Sequence, residues 1–519
     1  MRRRQFIQSS SFLSLPIMVG GFKVSALAHN KLFSFMNGDS DRVLVLIQLN
    51  GGNDGLNSVI PLDQYDNLAQ VRSNILVPES SVLSLTDTIG FHPNMGGLKT
   101  VFDEGKLNII QGVAYPDQNR SHFRSTDIWT SGSAANEFLT TGWLGRYFDQ
   151  SHPSYPEGYP NGECPDPFAI TLGSTVSETC QGLSSNFSLA LANTDNLSEL
   201  ASGGEGELPD GCYGDELAFV RESIKQTNAY SETILGALDQ GNSLSTKYDD
   251  TNDLASRLQV VARMISGGLQ TRVYVVSLGG FDTHANQVVD GEPTVGEHAV
   301  LLQSLSDAIC AFQDDLQLLG LEERVIGMTF SEFGRRIRSN NSLGTDHGTA
   351  APLMVFGSCV NPAILGDNPE ISPDVGTQEG LPMQYDFRSV YGSILMDWFE
   401  VEENAVKTLL FDEFQYIPII RDCTMTTSTE ELESLGDLQF QVFPNPMRSY
   451  TTIEFESAGG WAKISLFDAI GNRLMVVSEQ RFSVGTHRIN MEGHNLPAGS
   501  YYLRIQTDHQ QKTKRLVKL

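Results

Sequence analysis

The sequence predicts an α/β sandwich with a mostly parallel sheet, followed by a small all-β sandwich domain. Five apolar runs before Cys423 are continuous in Val, Ile and Leu, as in strands covered on both faces. Helical patterns separate them, and strand–helix alternation builds parallel sheets. After Cys423 the apolar runs shorten and alternate with polar residues, with turn residues between them.

The five long runs are Arg42–Asn50, Lys106–Tyr115, Arg272–Gly280, Arg324–Glu332 and Ala351–Gly357. Helices are predicted over Leu254–Ile265, Glu297–Leu319 and Ser389–Phe399, so that residues 41–423 form the α/β domain. Residues 150–225 are rich in Pro, Gly, Ser and Asn with weak periodicity. They read as an insertion over one sheet edge, in the manner of a lid. A polar linker, 424–437, leads to the β domain at 438–519, whose turns are "DAIGN" and "LPAGS".

Charge divides at the same place. The chain of 519 residues carries a net −28, but from Gly436 onward ten Lys/Arg outnumber seven Asp/Glu, leaving −31 on residues 1–435. Such acidity repels phosphate backbones and argues against nucleic-acid binding. Hydrophobic content of 40% and charged content of 19% describe a folded protein. At the start, Arg3 and Arg4 precede Phe6 and Ile7, a short apolar stretch follows, and small residues lead to a cut after Ala28. Residues 1–28 therefore resemble a twin-arginine export signal. No later run is long and apolar enough to span a bilayer. Six cysteines are too scattered for a zinc ribbon. A local disulfide is expected among Cys164, Cys180 and Cys212, although pairing is not legible in a sequence.

Ligands of open α/β sheets bind beyond the carboxyl ends of the strands, and those ends carry a constellation. Asp54 follows the first run behind a Gly pair. Arg120, Ser121 and His122 open a helix after the second. Asp282 and His284 follow the third in "GGFDTH", Glu332 ends the fourth in "SEFGRR", and Asp346 and His347 precede the fifth in "GTDHG". Carboxylates and imidazoles without thiolates suit a divalent ion such as Zn, Mn, Mg or Ca. Two ions ~3.5–4 Å apart could clamp an in-line displacement at phosphorus or sulfur. Ser121 would then be an activated nucleophile and Arg120 the holder of an anionic oxygen.

Two resemblances rest on these stretches. "LNGGNDGLNSVIP", "NRSHFRS", "GGFDTH", "SEFGRRIRSN", "GTDHGTAAPLMVFG" and "DFRSVYGSIL" are similar, in order, to domain-of-unknown-function family 1501. That family looks like a distant branch of the alkaline phosphatase superfamily. The resemblance implies catalytic roles for Ser121, Arg120 and His122, and metal ligands at Asp54, Asp282, His284, Glu332, Asp346 and His347. Asp282 and His284 are two apart where the relatives space them by four, and Phe333 stands where a His is expected after Glu332. Either Asp346 substitutes or a second metal is lacking. "FPNP", "LFDAIGNRL", "LPAGSYYLRI" and the basic "KTKRLVKL" resemble the C-terminal sorting domain of the type IX secretion system. That implies handling by outer-membrane secretion machinery and a final place at the outer-membrane surface or outside the cell, by way of the periplasm. A twin-arginine route implies prior folding, whereas type IX substrates are expected to reach the periplasm unfolded. Two functions follow as expectations: a secreted metal-dependent phosphate or sulfate ester hydrolase, acting on a small molecule or polysaccharide, or a non-catalytic surface protein binding a polysaccharide or protein partner.

Overall fold

A computed structural model describes residues 41–192, 227–421, 423, 440–467, 473–493, 496–507 and 511–519. The expected export signal, the linker and residues 193–225 of the expected lid lie outside the described residues. The chain divides into two compact units after Cys423.

The first unit is built on a nine-stranded sheet. Its strands are β1 (Val43–Asn50), β2 (Leu107–Ala114), β3 (Ala169–Leu172), β4 (Ser188–Ala190), β5 (Val273–Gly279), β6 (Val325–Phe330), β7 (Ala351–Phe356), β8 (Ala363–Leu365) and β9 (Tyr385–Asp386). Their order is β8-β2-β7-β6-β1-β5-β3-β4, with β9 also on β2. Central β1 pairs in parallel with β5 and β6. Alternate β1 side chains enter opposite cores: Val43, Val45, Ile47 and Leu49 one way, Leu44 and Leu46 the other. The continuous apolar run is thus explained, because both faces are covered. Burying each such side chain contributes about 1.5–3 kcal/mol.

The helices that matter to the site are α1 (Tyr65–Arg72), α2 (Gly96–Asp103), α3 (His122–Ser131), α4 (Trp143–Ser151), α5 (Asp253–Ser266), α6 (Glu297–Leu318) and α7 (Phe387–Phe399). Leu98 of α2 with α5 and α6 covers one face of the sheet, while α3, α4 and α7 bring Trp129, Trp143 and Trp398 to the other. β7 is antiparallel to both β2 and β6. Its amino end therefore lies at the rim where the parallel strands have their carboxyl ends. That inversion puts the loop before β7 beside the loops after β1, β5 and β6.

One expectation needs correction. The stretch 150–225 is not only an insertion over an edge, because it supplies β3 and β4, which extend the sheet in parallel from β5. Four-residue and three-residue strands are too short for a periodic signal in sequence. Among the described residues a disulfide joins Cys359 to Cys423, across 64 residues, and Cys180 is a buried free thiol. Cys212 lies outside the described residues. Among the described residues no helix is long and apolar enough to cross a membrane.

The second unit is an antiparallel β domain of five strands: β10 (Phe440–Phe443), β11 (Tyr450–Phe467), β12 (Arg473–Glu492), β13 (Gly499–Thr507) and β14 (Gln511–Lys518). Short strands expected separately run on here as long β11 and β12, paired along their length. Phe440, Ile453, Phe455, Ile464, Leu466, Leu503, Ile505 and Leu516 form its core.

Candidate metal centre

β1 ends at Gly51 and Gly52, whose φ angles of +122° and +82° lie where L side chains are strained. A Cβ on Gly51 would collide with the Asp282 amide nitrogen, so only glycine lets the loops after β1 and β5 touch. Arg335 then ties the loops together. Its guanidinium is fully buried and donates to the carbonyls of Gly51, Gly52, Phe281 and Thr345, and at 2.7 Å to Asp282 Oδ1.

Around Asp282 Oδ1 stand three imidazoles. His284 Nε2 lies at 3.2 Å, His347 Nε2 at 3.3 Å and His122 Nε2 at 3.4 Å. Ligand atoms of His122, Asp282 and His347 all fall within 4.8 Å of one another, and His284 Nε2 is 2.8 Å from His347 Nε2. The opposite ring nitrogens are anchored. His122 Nδ1 meets Glu332 Oε1 at 2.8 Å, His284 Nδ1 meets Asp346 Oδ1 at 3.0 Å, and His347 Nδ1 meets the Arg120 carbonyl at 2.8 Å. A carbonyl or carboxylate oxygen accepts, so each Nδ1–H donates, and in the neutral ring each Nε2 keeps a lone pair facing inward. This is the arrangement by which proteins orient metal-ligating histidines.

Electrostatics agree. Burial alone would raise Asp282, but the hydrogen bond and charge of Arg335, then His122 and His284, hold its carboxyl below the usual range. Asp346 is also lowered, its burial outweighed by hydrogen bonds from His284 and Asn340 and by Arg336. His347 is pushed down by burial first, against the Arg120 carbonyl, with Arg335 and His122 adding to the shift. An imidazole with a depressed pKa is neutral at neutral pH, the form that binds metal. Nearly half of the Asp282 side chain is exposed, so the cluster opens to solvent.

The sequence candidates divide accordingly. Asp282, His284, His347 and His122 meet, so that His122, expected as a catalytic residue, lies beside the expected metal ligands Asp282 and His347. Glu332 and Asp346 stand behind them; Glu332 Oε1 also accepts the Gly51 amide at 2.8 Å. Asp54 is a correction. In place of facing an ion, it is buried and accepts from Arg72 Nη1 at 2.9 and 3.0 Å and from Gln287 Nε2 at 2.6 Å. A buried carboxylate takes the nearest buried cation, and Arg72 supplies one from the end of α1. Ser121 precedes α3 as an exposed N-cap without a side-chain capping bond. Arg120 donates from its guanidinium to the Gln378 carbonyl at 2.8 Å. Arg72 and Gln287 were missed. Arg72 carries no spacing signal, while Gln287 lies five residues after Asp282, in a stretch whose Asp and His drew notice first.

Comparison with known proteins adds identity to this geometry. No curated protein matches. Among solved structures, an alkaline phosphatase superfamily protein from Vibrio parahaemolyticus is 10% identical, with a TM-score of 0.31, covering 86% of this chain and 83% of that one. A sulfatase from Pseudoalteromonas sp. is 8% identical at a TM-score of 0.31, covering 95% and 88%. PorZ, a surface component of the type IX secretion system of Porphyromonas gingivalis, is 16% identical at a TM-score of 0.12, and the match spans only 13% of its chain. Likeness at these levels carries no argument about activity. Residues 441–519 match the secretion system C-terminal sorting domain, and the protein is exported by type IX secretion to the cell surface or extracellular space. Residues 41–382 match the profile of proteins of unknown function DUF1501, and the chain belongs to that family.

Proposed function

We propose that this exported protein is a metal-dependent hydrolase of phosphate or sulfate esters on an alkaline-phosphatase-like scaffold. The observation that carries the reading is the convergence of three Nε2 atoms on one carboxylate oxygen, each ring anchored through its Nδ1. The donor set fits a metal. With both Nδ1 atoms donating, His284 and His347 would oppose two lone pairs at 2.8 Å unless a proton or a metal ion lies between or beside them. For His122, Asp282 and His347, whose ligand atoms all lie within 4.8 Å of one another, the 3.3 and 3.4 Å spacings to Asp282 Oδ1 are near the roughly 3.3 Å between ligands held at about 2.0–2.1 Å from one ion.

A divalent ion bound there would supply Lewis acidity toward an ester oxygen. The chain's own groups do the rest. His122, His347 and Asp282 would hold the ion, with His284 against His347. Glu332, Asp346 and the Arg120 carbonyl fix the rings. Arg335 offsets the Asp282 charge, and the Arg120 guanidinium meets an anionic oxygen of the substrate beside Ser121, the nucleophile. Residues 1–28 serve as the export signal, and 424–437 link the α/β domain to the sorting domain at 438–519. One observation favours a second reading, a non-catalytic surface protein with a single ion: Asp54, expected as a ligand, is spent on Arg72.

The test measures bound metal and hydrolysis of p-nitrophenyl phosphate and sulfate by the purified protein. Wild type is expected to hold a divalent ion and cleave one ester, and chelator to abolish both. Asp282→Ala and His347→Ala should lose metal together with about 3 kcal/mol of stability at metal concentrations a hundredfold above Kd, a difference that disappears in chelator. Ser121→Ala should keep metal and lose hydrolysis. Metal without hydrolysis supports the second reading. Destabilisation of both metal-site variants equally with and without chelator removes the metal centre.

A further inference from the structure

We infer that Gln287 is a positioning residue that sets the spacing between the two loops bearing His284 and His347; the inference rests on the metal-centre reading above. Gln287 is completely buried and bonded at both ends of its amide. Its Nε2 donates to Asp54 Oδ2 at 2.6 Å, and its Oε1 accepts from Thr345 Oγ1 at 2.7 Å and Thr283 Oγ1 at 3.2 Å. The amide has one orientation, because the Asp54 carboxylate can only accept and both hydroxyls have protons to give.

The two threonines sit beside the proposed ligands. Thr283 lies between Asp282 and His284, and Thr345 precedes Asp346 and His347. Their backbones also meet, the Thr345 amide donating to the Thr283 carbonyl at 3.2 Å. One side-chain oxygen thus holds two loops that are more than sixty residues apart in sequence. Behind it the clip is anchored by further hydrogen bonds. Asp54 is gripped by Arg72, whose Nε and Nη2 donate to the Ile337 and Arg336 carbonyls at 2.9 and 2.7 Å, just beyond Glu332. The buried Asp54–Arg72 pair therefore reaches the proposed metal ligands through Gln287, as an anchor and not as a ligand. Removing the amide leaves two buried hydroxyls without their common acceptor. The loops would then relax apart, and His284 and His347 would lose their present register.

The experiment titrates Zn²⁺ by calorimetry into the metal-stripped full chain, and records melting temperatures in chelator. Gln287→Met keeps the volume and the Asp54–Arg72 pair but removes all three bonds. Zn²⁺ affinity should fall about tenfold, as for groups that orient metal ligands. Thr345→Val should weaken it by a smaller factor, and it carries the test if Gln287→Met does not fold. Gln287→Glu, which sets a second carboxylate against Asp54, should also weaken binding. Unchanged Zn²⁺ affinity in variants that melt lower in chelator would make Gln287 merely structural and overturn the inference. A wild type that takes up no Zn²⁺ is a separate failure, visible without any variant. It would remove the metal centre and this inference with it.

Discussion

Asp54 shows how burial reassigns a residue. An isolated carboxylate is too costly to bury, so it must be neutralised or paired. Arg72 pairs it at 2.9 Å with both side chains inaccessible. Burial by itself would raise its pKa, but Arg72, His298 and the Gln287 amide overturn that and hold it below 3.8. A carboxyl lowered in the folded state contributes stability that is full above its unfolded value and lost as pH falls through the folded one. Asp54→Asn leaves the Arg72 cation buried without its counter-ion, which should cost about 3–5 kcal/mol near neutral pH. The melting-temperature gap between wild type and variant should hold steady from pH 7 to about 5 and narrow below about 3.8. A gap that widens in acid would contradict this assignment. Nothing in the residue types announced the choice, since an Asp behind a Gly pair reads equally as ligand, cap or ion-pair partner.

Elements decide where the imidazoles go. His284 follows parallel β5, His122 opens α3 after β2, and His347 precedes antiparallel β7. All three reach one rim only because β7 is reversed. The approach of the β1 and β5 ends depends on Gly51. Gly51→Ala would impose a left-handed φ on an L residue, about 1–3 kcal/mol, and drive a methyl into the Asp282 amide. A lower melting temperature in chelator is expected together with weaker metal retention, because Asp282 must move. Calorimetry and metal analysis of the same sample check this. Full metal retention would show that the loop tolerates the methyl. Sequence already placed these elements: the strand ends predicted from apolar runs fall within one or two residues of β1, β2, β5, β6 and β7. Short β3 and β4 were not legible, because three or four residues carry no period.

On the scale of the whole molecule, the chain divides into two units after Cys423. The change from acidic to mildly basic composition falls just beyond it. Each unit has its own apolar core, the second centred on Phe440, Phe455, Ile464 and Leu503. The first unit closes with the Cys359–Cys423 disulfide, which an oxidising compartment favours. A domain with its own core folds without its neighbour. Deleting Phe440–Leu519 should therefore leave the first unit folded and trap it in the periplasm. Fractionation of cells expressing the truncated chain checks this, and its appearance at the cell surface would show that sorting does not depend on the second unit.

What the sequence determined by itself follows from local pattern. Apolar runs, helical periods, turn residues and charge act over a few neighbours, and they were enough for the α/β class, the separate β domain and the rim that carries the Asp and His residues. The tertiary structure alone decided which of those residues meet. His122 joins Asp282, His284 and His347 because β2, β5 and reversed β7 end together. Asp54 withdraws to Arg72, and Gln287 becomes the link between loops. The physical reason is range: hydrogen bonds and ion pairs act over about 3 Å in space, while their partners here stand from 18 to 233 positions apart in the chain.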